Sequence, residues 1–300
     1  MTNGVVVLGV WRSGTSLVTQ FISEMGYYVV NTIPPNEFNP DGYWEDERVN
    51  CLNERVLNYL GGDSNHIPVE GPLSHSQFSG ITMQIREVMQ EYKSKRKWCI
   101  KDPRLSLTMD LWKEHLSSNT KYIICFRNPL SVSMSIQRRF QLDLNYSSRL
   151  WYTYLVSAFR VTRDVPRLVL SYENVLSNPV ITSARIREFL SGHEGKDFLK
   201  VNPSHTHHKN TSEEVFGARF IAKDAKLLYS LLLRMDNEPQ IRSVIENLSL
   251  KPPRYGLKFK IYDKLKYLSG SNEMFSQIMK SSALRQPARA MKNRLLSAAP

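Results

Sequence analysis

The stretch Val5-Val-Val-Leu-Gly-Val-Trp-Arg-Ser-Gly-Thr-Ser-Leu-Val18 constrains the chain more than any other. Residues 5–8 are apolar on both alternations and too few for a helix, so they read as a buried parallel strand. Leu17, Val18, Phe21, Ile22 and Met25 fall on one face of a helix that Gly26 stops. Between the two lies a loop bounded by Gly9 and Gly14. A strand, a tight glycine turn and a helix bring backbone N–H groups and the positive helix end together on an anion. The loop almost spells G-x-x-x-x-G-K-[ST], but Thr15 stands where the lysine belongs and Arg12 lies three residues earlier. Arg12 supplies permanent charge in a forked donor set, and Ser13, Thr15 and Ser16 add hydroxyls. An ordinary strand-to-helix turn with an exposed arginine is the competing reading, and the two glycines, three hydroxyls and arginine together favour the anion site over it.

Three more short apolar runs read as buried strands, at 98–100, 122–126 and 167–171. Helical patterns lie at 49–60, 129–140, 146–163, 178–190, 213–235 and 238–248. Strands alternating with helices imply parallel βαβ units, hence an α/β fold: a three-layer parallel sheet flanked by helices. The long loops at 31–42 and 61–80 are rich in Pro, Gly, Asn and Ser and read as substrate-facing elements. Pro252-Pro253 divides a domain of residues 1–250 from an extension of 251–300. The extension carries eleven Lys/Arg against Asp263 and Glu273, most of the chain's net charge of +12. Such a tail suits an anionic membrane surface, a polyanion or an acidic partner, or is merely solvated. Its apolar positions (Phe275, Ile278, Met279, Leu284, Met291, Leu295, Leu296) fit an interfacial element and a last core helix equally. Cys51, Cys99 and Cys125 lack metal-ligand spacing, and no window offers the ~20 apolar residues of a membrane span, so a cytoplasmic protein is expected.

A magnesium-dependent triphosphate site is poorly supported, because the loop lacks its lysine and the second strand runs into Lys101-Asp102 rather than ending in an aspartate. At this point the residues resemble a known family, the sulfotransferases that use 3′-phosphoadenosine 5′-phosphosulfate (PAPS), and the bacterial members in particular. Their 5′-phosphosulfate loop reads P-[KR]-S-G-T-[ST], which Arg12-Ser13-Gly14-Thr15-Ser16 matches; Trp11 replaces the proline. Arg127-Asn-Pro129, with Ser135 eight residues on, is similar to the family's 3′-phosphate motif. The same residues also suit a surface arginine before a proline-started helix. Tyr172-Glu173-Asn-Val-Leu resembles the strand end whose tyrosine packs on adenine, and Lys101-Asp102-Pro103-Arg104 resembles a segment whose lysine stabilises the leaving phosphate. The resemblance thus implies a P-loop-like fold, PAPS as co-substrate, 3′,5′-ADP as product and no metal. Cofactor contacts fall to Arg12, Ser13, Gly14, Thr15, Ser16, Arg127, Ser135 and Tyr172, and catalysis to Arg12 and Lys101. It fades beyond residue 180; His205, His207 and His208 suit the remaining 3′-phosphate contacts or a solvated loop.

Sulfuryl transfer to a hydroxyl is helped by a base. The histidine that cytosolic animal members carry two residues after their lysine is Pro103 here. Asn39-Pro-Asp41-Gly-Tyr-Trp44-Glu45-Asp46-Glu47 resembles the bacterial G-[YF]-[WF]-E-[DN] segment, which makes Glu45 the candidate base, between aromatic neighbours that exclude water. The acidic cluster also suits a helix cap, with Asp46 or Asp41 capping while Glu45 reacts. Acceptors from phenols to protein tyrosines fit; carbohydrate or glycolipid is preferred by analogy with bacterial relatives, and no nucleic-acid partner is expected. Two readings compete: an atypical P-loop kinase, which would need ATP and magnesium, and a non-catalytic protein held at a membrane or polyanion by its basic tail.

Overall fold

A computed structural model describes residues 3–191 and 210–249, apart from Phe38, residues 69–72, Ser74, Asn237 and Pro239. At its centre four strands, β1 (Asn3–Gly9), β2 (Lys97–Lys101), β3 (Lys121–Phe126) and β4 (Arg167–Ser171), form one sheet in the order β2-β1-β3-β4. Every pairing is parallel, with Val5 opposite Cys99 and Lys121, and Cys125 opposite Leu170. The four expected runs are these strands, each with the expected limits or one to three residues longer. They bury both faces, as the uninterrupted apolar runs require. On one face, Leu17, Val18, Phe21 and Ile22 of α1 (Thr15–Glu24) close over Val5, Val7, Cys99, Ile123 and Leu170. Val175 of α7 (Tyr172–Ser177) and Ile186 and Leu190 of α8 (Pro179–Ser191) complete that layer. Val6, Leu8, Ile100 and Ile124 face the other way and are at most 2% exposed, beside α4 (Leu105–Trp112) and α6 (Leu144–Val161). The α/β class with a parallel sheet flanked by helices is therefore the fold adopted.

Chain direction sets where a ligand can sit. From β1 the chain crosses to β2 on one side and then to β3 on the other, so the crevice outside the carboxyl ends of these strands is a topological switch point. Gly9, Lys101 and Arg127 all lie at that edge.

The helices depart from expectation in three places. Residues 213–235 are two helices, α9 (Ser212–Gly217) and α10 (Lys223–Arg234). Gly217 ends the first, and the Ala222 N–H donates to Ser148 Oγ of α6, at 3.0 Å, instead of continuing the helix. Residues 238–248 keep only α11 (Ile241–Glu246). Three helices were not anticipated, the short α7 among them. α3 (Ser79–Ser94) carries a readable stripe of Ile85, Val88, Met89 and Tyr92 behind the Ser-rich loop. α4 is buried nearly all round, through Leu105, Ser106, Thr108, Met109, Leu111 and Trp112, so it has no polar face to betray its period. α2 (Glu47–Tyr59) and α5 (Pro129–Phe140) complete the scaffold. Among the described residues no helix is long and apolar enough to cross a membrane. The basic extension 251–300 and the histidines at 205, 207 and 208 lie outside the described residues.

Candidate active site

The loop after β1 is built from backbone conformations that few side chains tolerate. Gly9 has φ +141°, and a Cβ there would lie 2.4 Å from the Cys125 carbonyl. Gly14, at φ +88°, would drive a Cβ to 2.4 Å from the Tyr172 ring. Arg12 itself sits at φ +67°, which costs a non-glycine residue about 1 kcal/mol. Strain of this kind persists where its surroundings hold it. Here Ser106 Oγ accepts from the Gly9 N–H at 3.1 Å, and Trp11 packs on Tyr154 with ring centroids 4.8 Å apart. That packing gives Trp11 a reason to stand where proline stands elsewhere. Ser13 is fully buried and its hydroxyl donates to the Val10 carbonyl at 2.5 Å. The hydroxyl thus shapes the loop rather than extending the donor set, and the backbone N–H is what Ser13 offers a ligand. Gly14 caps α1 with no side-chain hydrogen bond, and Thr15 and Ser16 form its first turn.

Arginines gather over this turn. Arg12 Nε donates to Ser135 Oγ of α5 at 3.1 Å, so the two motifs meet. Arg127 follows β3, its guanidinium 4.6 Å from the centre of the Tyr172 ring and its Nη1 3.4 Å from the Arg12 carbonyl. Its backbone is held on both sides. Trp151 Nε1 donates to the Arg127 carbonyl at 2.9 Å, and Asn128 caps α5 by accepting from Leu130 and Ser131. Burial, together with the Arg139 and Arg127 guanidiniums, pulls the Arg12 pKa below the usual arginine value. Arg127 is lowered too, chiefly by burial. Burial raises the Tyr172 phenol, and Arg127 opposes that rise. Partly desolvated guanidiniums held near one another are what a bound anion would relieve. In this structure the Tyr172 ring packs on Gly14 and Arg127.

At the first turn of α1, Lys101 Nζ bridges Glu45 Oε1, at 2.5 Å, and Ser16 Oγ, at 3.2 Å. Both members of this ion pair are buried, with side chains 1% and 8% exposed. Ser16 Oγ in turn donates to the Tyr43 carbonyl at 3.1 Å, which ties the 31–46 segment to the first turn of α1. Asp46, not Asp41, caps α2, accepting from the Arg48 N–H at 2.9 Å. The cap therefore falls to Asp46 and leaves the Glu45 side chain out of it. What meets the Glu45 carboxylate is Lys101 and the Asn50 amide, at 3.0 Å. Its aromatic neighbours turn their polar atoms elsewhere, Tyr43 to Asn36 and Trp44 to the Asp41 carbonyl.

Behind this pair runs a buried polar chain that motif reading missed. Asn50 Oδ1 accepts from Arg104 Nη1 at 2.8 Å. Arg104 also meets Asp102 Oδ1, at 2.9 Å, and Glu54 Oε2, at 2.7 Å. Asp102 is fully buried and accepts from Asn53 Nδ2 at 2.9 Å, while Asn53 Oδ1 receives Thr108 and Trp112. Burial opposes the charge on Arg104, but Asp102 and Glu54 outweigh it and its pKa rises. Asn50, Asn53 and Glu54 share one face of α2 at spacings of three and four, a signal present in the sequence. The arrangement as a whole holds cations around a helix N-terminus and a carboxylate beside one of them. Such a site can bind a phosphate-like group, neutralise charge as it leaves, and accept a proton.

A model of the sulfotransferase family matches residues 4–193. No curated protein matches the chain. Solved structures that resemble it include a sulfotransferase domain from the Synechococcus PCC 7002 olefin synthase, at 15% identity and TM-score 0.39, covering 89% of this chain and 94% of that one. A sulfotransferase domain from the curacin biosynthetic pathway is 13% identical at TM-score 0.40, covering 89% and 98%. Sulfotransferase STF9 from Mycobacterium avium is 12% identical at TM-score 0.42, covering 90% and 77%.

Proposed function

This chain belongs to the sulfotransferase family, and on that premise we propose that it moves a sulfuryl group from PAPS to an acceptor hydroxyl by in-line, metal-free transfer. The observation that carries the reading is Lys101 Nζ within hydrogen-bond distance of both Glu45 and Ser16. One ammonium joins a candidate base to the first turn of the helix that would hold the phosphosulfate. In the step itself, the acceptor oxygen forms a bond to sulfur as the bond from sulfur to the bridging phosphate oxygen breaks. The acceptor proton passes to the Glu45 carboxylate, and the electron pair stays on the 5′-phosphate of 3′,5′-ADP. Arg12, Lys101 and the N–H groups that open α1 neutralise that new charge. Arg127 and Ser135 serve the 3′-phosphate, with Tyr172 beside them at the nucleotide. Ser13, Gly14 and Thr15 line the phosphosulfate loop.

For the acceptor we favour a carbohydrate or glycolipid. Tyr43 and Trp44, half-buried in the segment bonded to Ser16, offer flat apolar faces on which a sugar ring packs. The three free cysteines suit a reducing cytoplasm, and the basic residues of 251–300 suit contact with an anionic membrane surface. The test is incubation with [35S]PAPS in EDTA against a panel of oligosaccharides, glycolipids, phenols and tyrosine peptides. Label on a glycan or glycolipid, with stoichiometric 3′,5′-ADP, is expected. Label on a phenol or peptide alone would overturn the acceptor, and no release of 3′,5′-ADP with any acceptor would overturn the reaction.

A further inference from the structure

Glu45 is reached by two donors, and only one of them belongs to the motifs. Lys101 takes Oε1; Oε2 faces the Asn50 amide, a residue of α2 one turn beyond the cap. An asparagine amide can present either its oxygen or its NH2, and here the choice is forced. Its Oδ1 accepts from Arg104 Nη1 at 2.8 Å, so the NH2 must point at Glu45. Arg104 cannot turn away, because Asp102 and Glu54 hold it from two sides and Asp102 is itself fixed by Asn53. We propose that Asn50, oriented by Arg104, is the positioning residue that holds the Glu45 carboxylate in one rotamer toward the acceptor. Asn50 touches neither substrate nor donor; it acts through Glu45.

This explains why the Lys101-Asp102-Pro103-Arg104 segment carries more than its lysine. Lys101 faces forward to Ser16 and Glu45, while Asp102 and Arg104 turn back to α2 and lock the amide that meets the same carboxylate from the other side. The segment therefore grips Glu45 directly through one oxygen and indirectly through the other. A carboxylate held at both oxygens keeps its geometry through turnover, where one held only by a lysine's flexible stem swings.

The inference rests on Glu45 as the base, and its test reads the contact separately from that role. In protein labelled with [13Cδ]glutamate, the Glu45 resonance is the one missing from Glu45→Gln. Its titration is followed by NMR in the parent, Asn50→Leu and Asn50→Asp. The charged groups facing Glu45 are Lys101 from β2 and Arg104 from the turn after it, and both stay in place. Loss of the amide donor in Asn50→Leu removes a bond that favours the ionised form and shifts the midpoint upward about tenfold in proton affinity. A like charge in Asn50→Asp shifts it further. Affinity for 3′,5′-ADP, read by calorimetry, stays within twofold of the parent in both. Asn50→Ser, which is shorter and polar, takes the place of any variant that fails a thermal-melt check. Midpoints that coincide with the parent's overturn the inference. So does loss of 3′,5′-ADP affinity in step with the shift, which would mean a scaffold role. Parental [35S] transfer by Glu45→Gln would instead remove the base reading and leave the Asn50 contact to stand or fall on its titration.

Discussion

Replacing Lys101 with methionine keeps the length of the side chain and removes its charge from a pair buried on both sides, 1% and 8% exposed. At the observed 2.5 Å the attraction is about 7 kcal/mol for an effective dielectric near 20. Desolvation of the two ions, several kcal/mol each, offsets much of it in the intact protein. The variant keeps one side of that balance: Glu45 stays buried with only the Asn50 amide on Oε2. Breaking one partner from a buried pair costs roughly 3–5 kcal/mol, which corresponds to a Tm lower by roughly 10 °C in a domain of this size. Glu45→Gln costs less, because its amide oxygen still accepts from Lys101. The double variant leaves no unpaired charge and regains most of the loss. Urea denaturation of the parent, both single variants and the double variant gives the coupling energy directly. Transfer activity follows a different order: Lys101→Met and the double variant both lose the charge that meets the leaving phosphate, worth about 10²–10³ in kcat. A Lys101→Met protein as stable as the parent, or a double variant no more stable than Lys101→Met, would refute the buried pair as the organising contact of the site.

Arg127→Ala should weaken 3′,5′-ADP binding by about 10–100-fold, the worth of a charged hydrogen bond, in calorimetry; parental affinity would dissociate Arg127 from the nucleotide. Gly14→Ala combines a left-handed φ of +88° with a Cβ 2.4 Å from the Tyr172 ring. It is expected to lower thermal stability and abolish nucleotide binding, and a fully binding Gly14→Ala would mean that the turn is not the cradle. Hydrogen bonds from Arg48 and Tyr28 hold the Glu91 carboxyl below its ordinary value. Because the folded value is the lower one, this contribution is complete above the unfolded pKa of about 4.3 and fades as pH falls through the folded value. Glu91→Gln should therefore flatten the acid side of the stability–pH curve below about pH 4; an unchanged slope contradicts it.

The sheet was readable because its strands are buried on both faces, which leaves short apolar runs such as 122–126 with no competing period. The tight turn after β1 was readable for a related reason. Only glycine meets the backbone demands at Gly9 and Gly14, and a guanidinium announces its charge in the sequence. Helix α4 was hidden by the same burial that revealed the strands: with no solvent side it has no amphipathic signature. Asn50, Asn53, Asp102 and Arg104 act through side-chain bonds between α2 and the segment after β2, positions about fifty residues apart. No local spacing encodes such a pairing. Ser13 shows the converse limit, since its place in the loop was clear while the direction of its hydroxyl, inward to Val10, depends on the fold.

The central claim is that guanidiniums and helix amides hold an adenosine bisphosphate unaided by a divalent ion. Calorimetric titration of the full chain with 3′,5′-ADP in EDTA, run beside ATP with magnesium, measures it most directly. Saturable binding of 3′,5′-ADP in EDTA, tighter than that of ATP–Mg²⁺, is the expected result. Heat only from ATP with magnesium, or none from 3′,5′-ADP, would contradict the account.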